Sequence, residues 1–439
     1  MEEYIKKLLE QVRFQKAHKA IEDEIRLHIE DQINENISEG MDKEIAEKKA
    51  VEDMGDPVEA GIELDKVHRP QLAWELVVAT LVVTVLGGIL HIYMSKQLNW
   101  GLSFQISKNH LVQEGTMFVF WTILGVALML LIYLIDFTTI AKYSKIAGFI
   151  LLAAHFVSDS MYVNADSMGY DVVMFFEGLK YRLSELMFLM VPLYAGILYK
   201  YKGRKYGGLI KAVIWIMVTT ILLPFCNGGY SIEAMMVIPI CMLVQLTIAI
   251  NKEWIKVHKI PATIAMWSLF ALPFMKSIKT FCELYGFEYE EDTIRPIIRG
   301  SRLFGRGIVR GDDVRYAEDS GILQYLSTTM GIGVAIAVVA IVIGLIVYAL
   351  IVTTKTKNQL GLVMGIGCMF WLVEKVIFNI AFWLGINPDR AGTTFLPFIS
   401  GGMTYEGLIA SYVMLGIVLS IYKYKDAYAE HVDISLRAG

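Results

Sequence analysis

Residues 332–354 read IGVAIAVVAIVIGLIVYALIVTT, an apolar run with no charged side chain. A stretch of this length matches the roughly 20 apolar residues that cross a bilayer. Inside lipid its backbone groups must satisfy one another, so it has to be helical. Comparable stretches lie near 73–94, 116–136, 146–163, 183–199, 207–226, 232–250, 261–275, 322–352, 360–386 and 405–422. With 55% hydrophobic residues over 439 positions, the chain is expected to be all-α, a polytopic membrane protein with about ten transmembrane helices.

The first 70 residues differ in kind. They carry 11 basic against 19 acidic residues, net −8, whereas the remainder carries 29 basic against 25 acidic, net +4. Helical spacing is clear in Tyr4, Ile5, Leu8, Leu9 and Val12, and again in Ile21, Ile25, Leu27, Ile29 and Ile33; a third segment starts near Asp42. Asp56-Pro57 reads as an N-cap followed by proline at the first helical position. This predicts a small helical domain over 1–70, with no cleavable signal peptide before the first span. Residues 40–70 resemble the permease-prefix domain that precedes some membrane cores. A signalling role and a plain cytoplasmic cap both fit that composition.

Orientation follows from the short loops. Lys142 and Lys145, Lys200 to Lys205, Lys252 to Lys259, Lys355 and Lys357, and Lys423 and Lys425 all fall on the side of the N-terminal domain. Both termini are therefore expected in the cytoplasm of a cell whose plasma membrane holds a 71–425 core. The tail is 426–439, and the longest outer loop is 276–320.

Near the C-terminus lies Phe395-Leu396-Pro397-Phe398-Ile399-Ser400-Gly401-Gly402. Proline withholds a donor, serine can satisfy a freed backbone group, and the glycines permit close packing, as a re-entrant turn requires. The string resembles the PFISYGGSS signature of the SEDS family (shape, elongation, division and sporulation), whose FtsW, RodA and SpoVE-type members polymerise peptidoglycan from lipid II. Here the tyrosine before the glycines is missing, and Met403-Thr404 replaces the serine pair. The resemblance implies a glycosyltransferase needing no cofactor, with lipid II as substrate and a class B penicillin-binding transpeptidase as partner.

Three further segments carry it. Tyr181 to Leu186, with Lys180 before it, is similar to the family's FQPSELAK; Ser184 and Glu185 are kept, Leu183 replaces the proline and Phe188 the lysine. In the outer loop Arg295, Arg299, Arg302, Arg306 and Arg310 recur at steps of three and four, which predicts one arginine-bearing helical face. Such a face suits bidentate contact with a pyrophosphate. Glycines at 300, 305 and 307 weaken a continuous helix, and a self-neutralising surface is the other reading. The SRLFGRG portion also looks like the family's GGLFGKG. Downstream, Glu318-Asp319 occupies the place of the family's catalytic loop, and the resemblance implies Asp319 as general base with Glu318 as alternative. An ordinary acidic helix start is equally compatible with this pair.

Within the spans, Glu374 and Lys375 are adjacent and point about 100° apart, so different partners are expected. Glu374 is expected to face the cavity of Glu185 and Asp319, with Asn379 continuing a polar track; mutual neutralisation across helices is the other account. His155 and Asp159 form an i,i+4 pair in the third span. Four cysteines, three of them in or beside apolar segments, suggest neither a disulfide framework nor a thiolate metal site, and no metal or nucleotide motif is present. Nothing points to nucleic acid. Three functions remain open: a divergent glycosyltransferase, a transporter or flippase for a lipid-linked precursor, and a SEDS-like scaffold. If the orientation holds, Gly286→Cys reacts with an impermeant thiol reagent added outside intact cells and Gly203→Cys does not; the reverse pattern would overturn it.

Overall fold

The computed structural model describes residues 1–98, 108–165, 186–226, 232–285, 299–308, 321–384, 395–400 and 405–432. Four helices open the chain: α1 (Glu2–Leu9), α2 (Gln15–Ser38), α3 (Lys43–Asp53) and α4 (Pro57–His68). Their apolar stripes meet in a small core of Tyr4, Ile5, Leu8, Ala17, Ile21, Ile29 and Ala50. Asp56 caps α4 through the Val58 amide at 2.8 Å, with Pro57 at the first turn. Glycine at 61 is required by packing, since a β-carbon there would stand 2.5 Å from the Leu8 carbonyl oxygen.

The membrane core follows as α5 (Trp74–Leu98), α6 (Lys108–Leu134), α7 (Phe137–Ala165), a 3-10 turn (Leu186–Leu189) leading into α8 (Met190–Tyr199), α9 (Tyr206–Cys226), α10 (Ile232–Asn251), α11 (Lys259–Tyr285), α12 (Ile322–Thr329), α13 (Ile332–Thr354), α14 (Gln359–Trp383) and α15 (Glu406–Lys423). The chain is an all-α polytopic membrane protein. Among the described residues, five helices, in α5, α6, α7, α13 and α14, are long and apolar enough to cross a membrane, and α8, α9, α10 and α15 contain shorter apolar stretches. Over the described residues each expected span range contains helix, with 322–352 in two pieces and 183–199 opening on the 3-10 turn. The α14 span is 67% buried against 22% for that of α6, so α14 is a central helix whose polar side chains must be accommodated by protein.

Two expectations need correction. The range 322–352 is not one helix: α12 ends at Thr329, and Gly331, with φ +105°, breaks the chain before α13. Only glycine adopts that backbone without strain, and a β-carbon there would lie 2.6 Å from the Leu303 carbonyl oxygen. The arginine series is not one helical face either, because residues 301–308 form an irregular hairpin closed by Ile308 N–H donating to the Gly300 carbonyl at 3.0 Å. The glycines at 300, 305 and 307 outweigh the three-and-four spacing.

The N-terminal helices rest on the near face of the core. Asp136, between α6 and α7 and 5% exposed, accepts from Lys16 Nζ at 2.6 Å, from the Thr138 amide at 2.9 Å and from the Tyr428 hydroxyl. Phe14 stacks on Tyr424 at 5.4 Å, and the Gln71 amide donates to the Lys423 carbonyl at 3.0 Å. Burial, helped by the Asp136 charge, pushes the Tyr424 phenol up to about 12 and the Tyr428 phenol above its ordinary value. Asp136→Ala removes the shared acceptor and should cost about 1–3 kcal/mol. A lowered Tm and faster proteolytic release of residues 1–70 are the expected readouts.

Candidate functional site

The site is built around the Phe395–Ser400 turn. Pro397 supplies no donor, and the turn closes through Ile399 and Ser400 amides donating to the Leu396 carbonyl at 3.1 and 2.9 Å. Phe398 holds φ +65°, a left-handed backbone that a bulky residue adopts only when its surroundings impose it. Those surroundings are α5 and α15. The Phe398 ring is fully buried and meets Tyr412 of α15 edge-on at 5.4 Å, and the Tyr412 hydroxyl hydrogen-bonds Thr84 of α5 at 2.7 Å. Gly87 lets the turn approach α5: a β-carbon there would stand 3.2 Å from the Phe398 carbonyl oxygen. His91 Nε2 pairs with the Ile399 carbonyl at 3.0 Å while its ring stacks on Phe118 at 4.0 Å.

On the other side of the turn lies an aromatic cluster. Trp371 of α14 contacts Phe188 at 5.6 Å and Phe395 at 5.9 Å between ring centroids. Lys375, one helical turn on, places its ammonium 4.9 Å from the Phe395 ring and 5.3 Å from that of Trp371. Such rings attract a cation by about 0.5–2 kcal/mol each, which helps to tolerate a charge in a span. Glu374 points elsewhere: its Oε2 accepts from the Cys241 thiol of α10 at 3.0 Å, at a buried position. In these contacts the two adjacent charges turn to different neighbours. Gln245 reaches the Val363 carbonyl at 3.4 Å across a gap that Gly367 keeps open. Among the described residues the side-chain oxygens of Gln245 and Asn379 meet no donor, and both residues are buried. A polar track therefore runs along α14 within the bundle.

The hairpin 300–308 is fastened to the break before α13. Gly305 and Gly307 amides donate to the Met330 and Thr328 carbonyls at 2.8 and 2.9 Å; in return Ile332 and Gly333 amides donate to Arg302 and Leu303 carbonyls, both at 2.9 Å. Free amides at the start of α13 are thereby satisfied. Trp383 Nε1 donates to Ser327 Oγ at 2.9 Å and ties α14 to α12.

Of the residues expected to form the site, Ser400 lies in the turn that Lys375 contacts through Phe395, Glu374 is held by α10, and Arg299, Arg302 and Arg306 are exposed around the hairpin. Glu318, Asp319, Lys180, Ser184, Glu185, Arg295, Arg310, Gly401 and Gly402 lie outside the described residues, as does the Asp159 side chain expected to pair with His155. Cys241 and Cys368 are free, buried thiols. Sequence reasoning missed His91 and Cys241. A histidine alone in an apolar span was the available signal for the first; the second had none.

These features define a polytopic helical membrane protein with a re-entrant turn and a broken span. Among solved structures, one described as the structural coordination of polymerization and crosslinking by a peptidoglycan synthase complex matches with TM-score 0.55 at 15% identity, over 81% of this chain and 98% of that chain. A variant of the rod shape determining protein RodA of Thermus thermophilus matches with TM-score 0.49 at 13% identity over the same shares. No protein-family model and no curated protein sequence matches the chain. The fold is thus that of the synthase chain, in agreement with the resemblance carried by residues 395–402.

Gly125 of α6 faces Tyr412, and a β-carbon there would collide with its ring. Gly125→Ala should therefore displace the support of Phe398 and cost about 1–3 kcal/mol. A lowered Tm, with faster hydrogen exchange of the Ile399 and Ser400 amides, is the expected result.

Proposed function

We propose that the chain is a SEDS-type peptidoglycan glycosyltransferase that polymerises lipid II at the outer face of the plasma membrane, serving division, elongation or sporulation beside a class B penicillin-binding transpeptidase. The observation that carries this reading is the strained Phe395–Ser400 turn, locked by α5 and α15 and bearing the family-like string, in a chain with the synthase fold. Irregular backbone at membrane depth persists where it lines a cavity or is packed in protein, and here it stands beside a charged lysine. Both termini are cytoplasmic in this reading.

Asp319 takes the proton of the acceptor sugar hydroxyl, whose oxygen forms the new bond to the anomeric carbon as the bond from that carbon to the polyprenyl pyrophosphate breaks. Glu318 is the alternative base. The resemblance expects a lysine where Phe188 stands; Phe188 packs instead on Trp371, and Lys375 projects over the same ring. In this reading Lys375 supplies the cation for the pyrophosphate, together with Lys180 and the arginines at 295, 299, 302 and 306. Ser184, Glu185, Ser400 and Gly401-Gly402 shape the cavity.

The second reading, a SEDS-like scaffold without catalysis, is favoured by the closed packing of Phe188 against Trp371. Purified protein with labelled lipid II and candidate transpeptidases separates the two. Asp319→Asn should lower polymerisation by about 10²–10⁴-fold with lipid II binding retained. Lys375→Gln should weaken lipid II binding first. A wild-type chain that never polymerises with any partner supports the scaffold.

A further inference from the structure

Three large apolar side chains on the 299–308 hairpin stand out of the protein: Leu303 is 63% exposed, Phe304 71% and Ile308 82%. Slack backbone does not explain this, because the hairpin is held by the five backbone hydrogen bonds to Gly300, Thr328, Met330 and, from Ile332 and Gly333, to Arg302 and Leu303. An exposed apolar cluster on rigid backbone marks a surface that meets something other than water. Its depth is set by α13. At about 1.5 Å per residue, α13 extends for roughly 34 Å, a little more than the ~30 Å hydrocarbon core. Its first turn, which the hairpin grips, therefore lies at the membrane–water boundary. The Phe304 ring lies along that turn, so close to Gly333 that a β-carbon there would be 2.8 Å away. Further down, the exposed Ile336, Ile343 and Val347 continue the apolar surface along the span.

The charges are placed to match. Arg299, Arg302 and Arg306 alternate with these apolar residues, are exposed, and make no ion pair with any described carboxylate. A long side chain at this level keeps its stem in the apolar layer and its guanidinium among the headgroups.

We propose that residues 299–308 form an interfacial lipid site, with Leu303, Phe304 and Ile308 among the acyl chains and Arg299, Arg302 and Arg306 on the phosphates of phospholipids in the leaflet opposite the N-terminal helices. Anionic phosphatidylglycerol is the preferred occupant, since its headgroup carries no ammonium to oppose the arginines. The inference rests on α13 being a span and does not require glycosyl transfer; in the polymerase reading, lipid II displaces the phospholipid from the same arginines.

Full-length protein in phosphatidylcholine nanodiscs, with and without phosphatidylglycerol, is footprinted with hydroxyl radicals. The internal reference is Ile62 and Val67, 45% and 48% exposed on α4. Leu303, Phe304 and Ile308 should oxidise roughly tenfold more slowly than these, as expected of side chains sunk in the interface. Oxidation at the rate of Ile62 would overturn the proposal and leave the hairpin as a surface for water or a protein partner. In a second arm, native mass spectrometry counts phosphatidylglycerol retained by the wild type and by the Arg299→Gln, Arg302→Gln, Arg306→Gln triple variant. Fewer retained lipids in the variant support the phosphate contacts, and equal numbers overturn them. Neither arm uses lipid II, so failure here and failure of the polymerase reading are distinguishable.

Discussion

Backbone hydrogen bonding in lipid is the constraint on which this structure depends. Helices meet it within themselves; two irregular stretches among the described residues, 395–400 and 330–333, have to borrow partners. At 395–400 the partners are His91 on the Ile399 carbonyl and the turn's own amides. At 330–333 they are the carbonyls of Arg302 and Leu303, offered by the 299–308 hairpin. Removing either set would expose unsatisfied polar groups at a cost of several kcal/mol each, so both stretches are as firmly specified as the spans beside them.

Close packing supports the same end. Helices in lipid associate through small residues that let backbones approach, and α6 meets α15 across Gly125 and Gly416, where a β-carbon on Gly416 would stand 2.8 Å from the Met129 carbonyl oxygen. This contact positions Tyr412, which in turn holds Phe398 in its left-handed backbone. The far end of α15 reaches Tyr424 and Tyr428, on which Phe14 and Asp136 converge. One helix thus connects the acidic N-terminal helices with the re-entrant turn.

Charged and polar groups inside the bundle meet neighbours from several helices. Lys375 has aromatic faces, Glu374 has a thiol donor, and Asn379 and Gln245 extend polarity along α14. Phe188 packs on Trp371, and Lys375 carries its ammonium over the same ring beside the turn.

Much of the fold was legible because its determinants are local. An uncharged run such as 332–354 has no alternative to a helix in lipid, Asp56-Pro57 starts α4 by its own chemistry, and Phe395 to Ser400 announces a turn through its proline and serine. The adjacency of Glu374 and Lys375 likewise implied separate partners without naming them. What depended on contacts distant in sequence was not legible. The spacing of the arginines suggested a helix, but the glycines between them and the carbonyl demand at Ile332 and Gly333 make a hairpin. The break at Gly331 hid inside an apolar run, since hydropathy does not register φ. His91 finds a carbonyl 308 positions away and Cys241 a carboxylate 133 positions away. Sequence alone determined which segments are apolar helices fit for lipid, because burial in lipid is a sum over local composition. Only the tertiary structure decided which polar groups meet there, because each pairing depends on how helices remote in the chain are packed together.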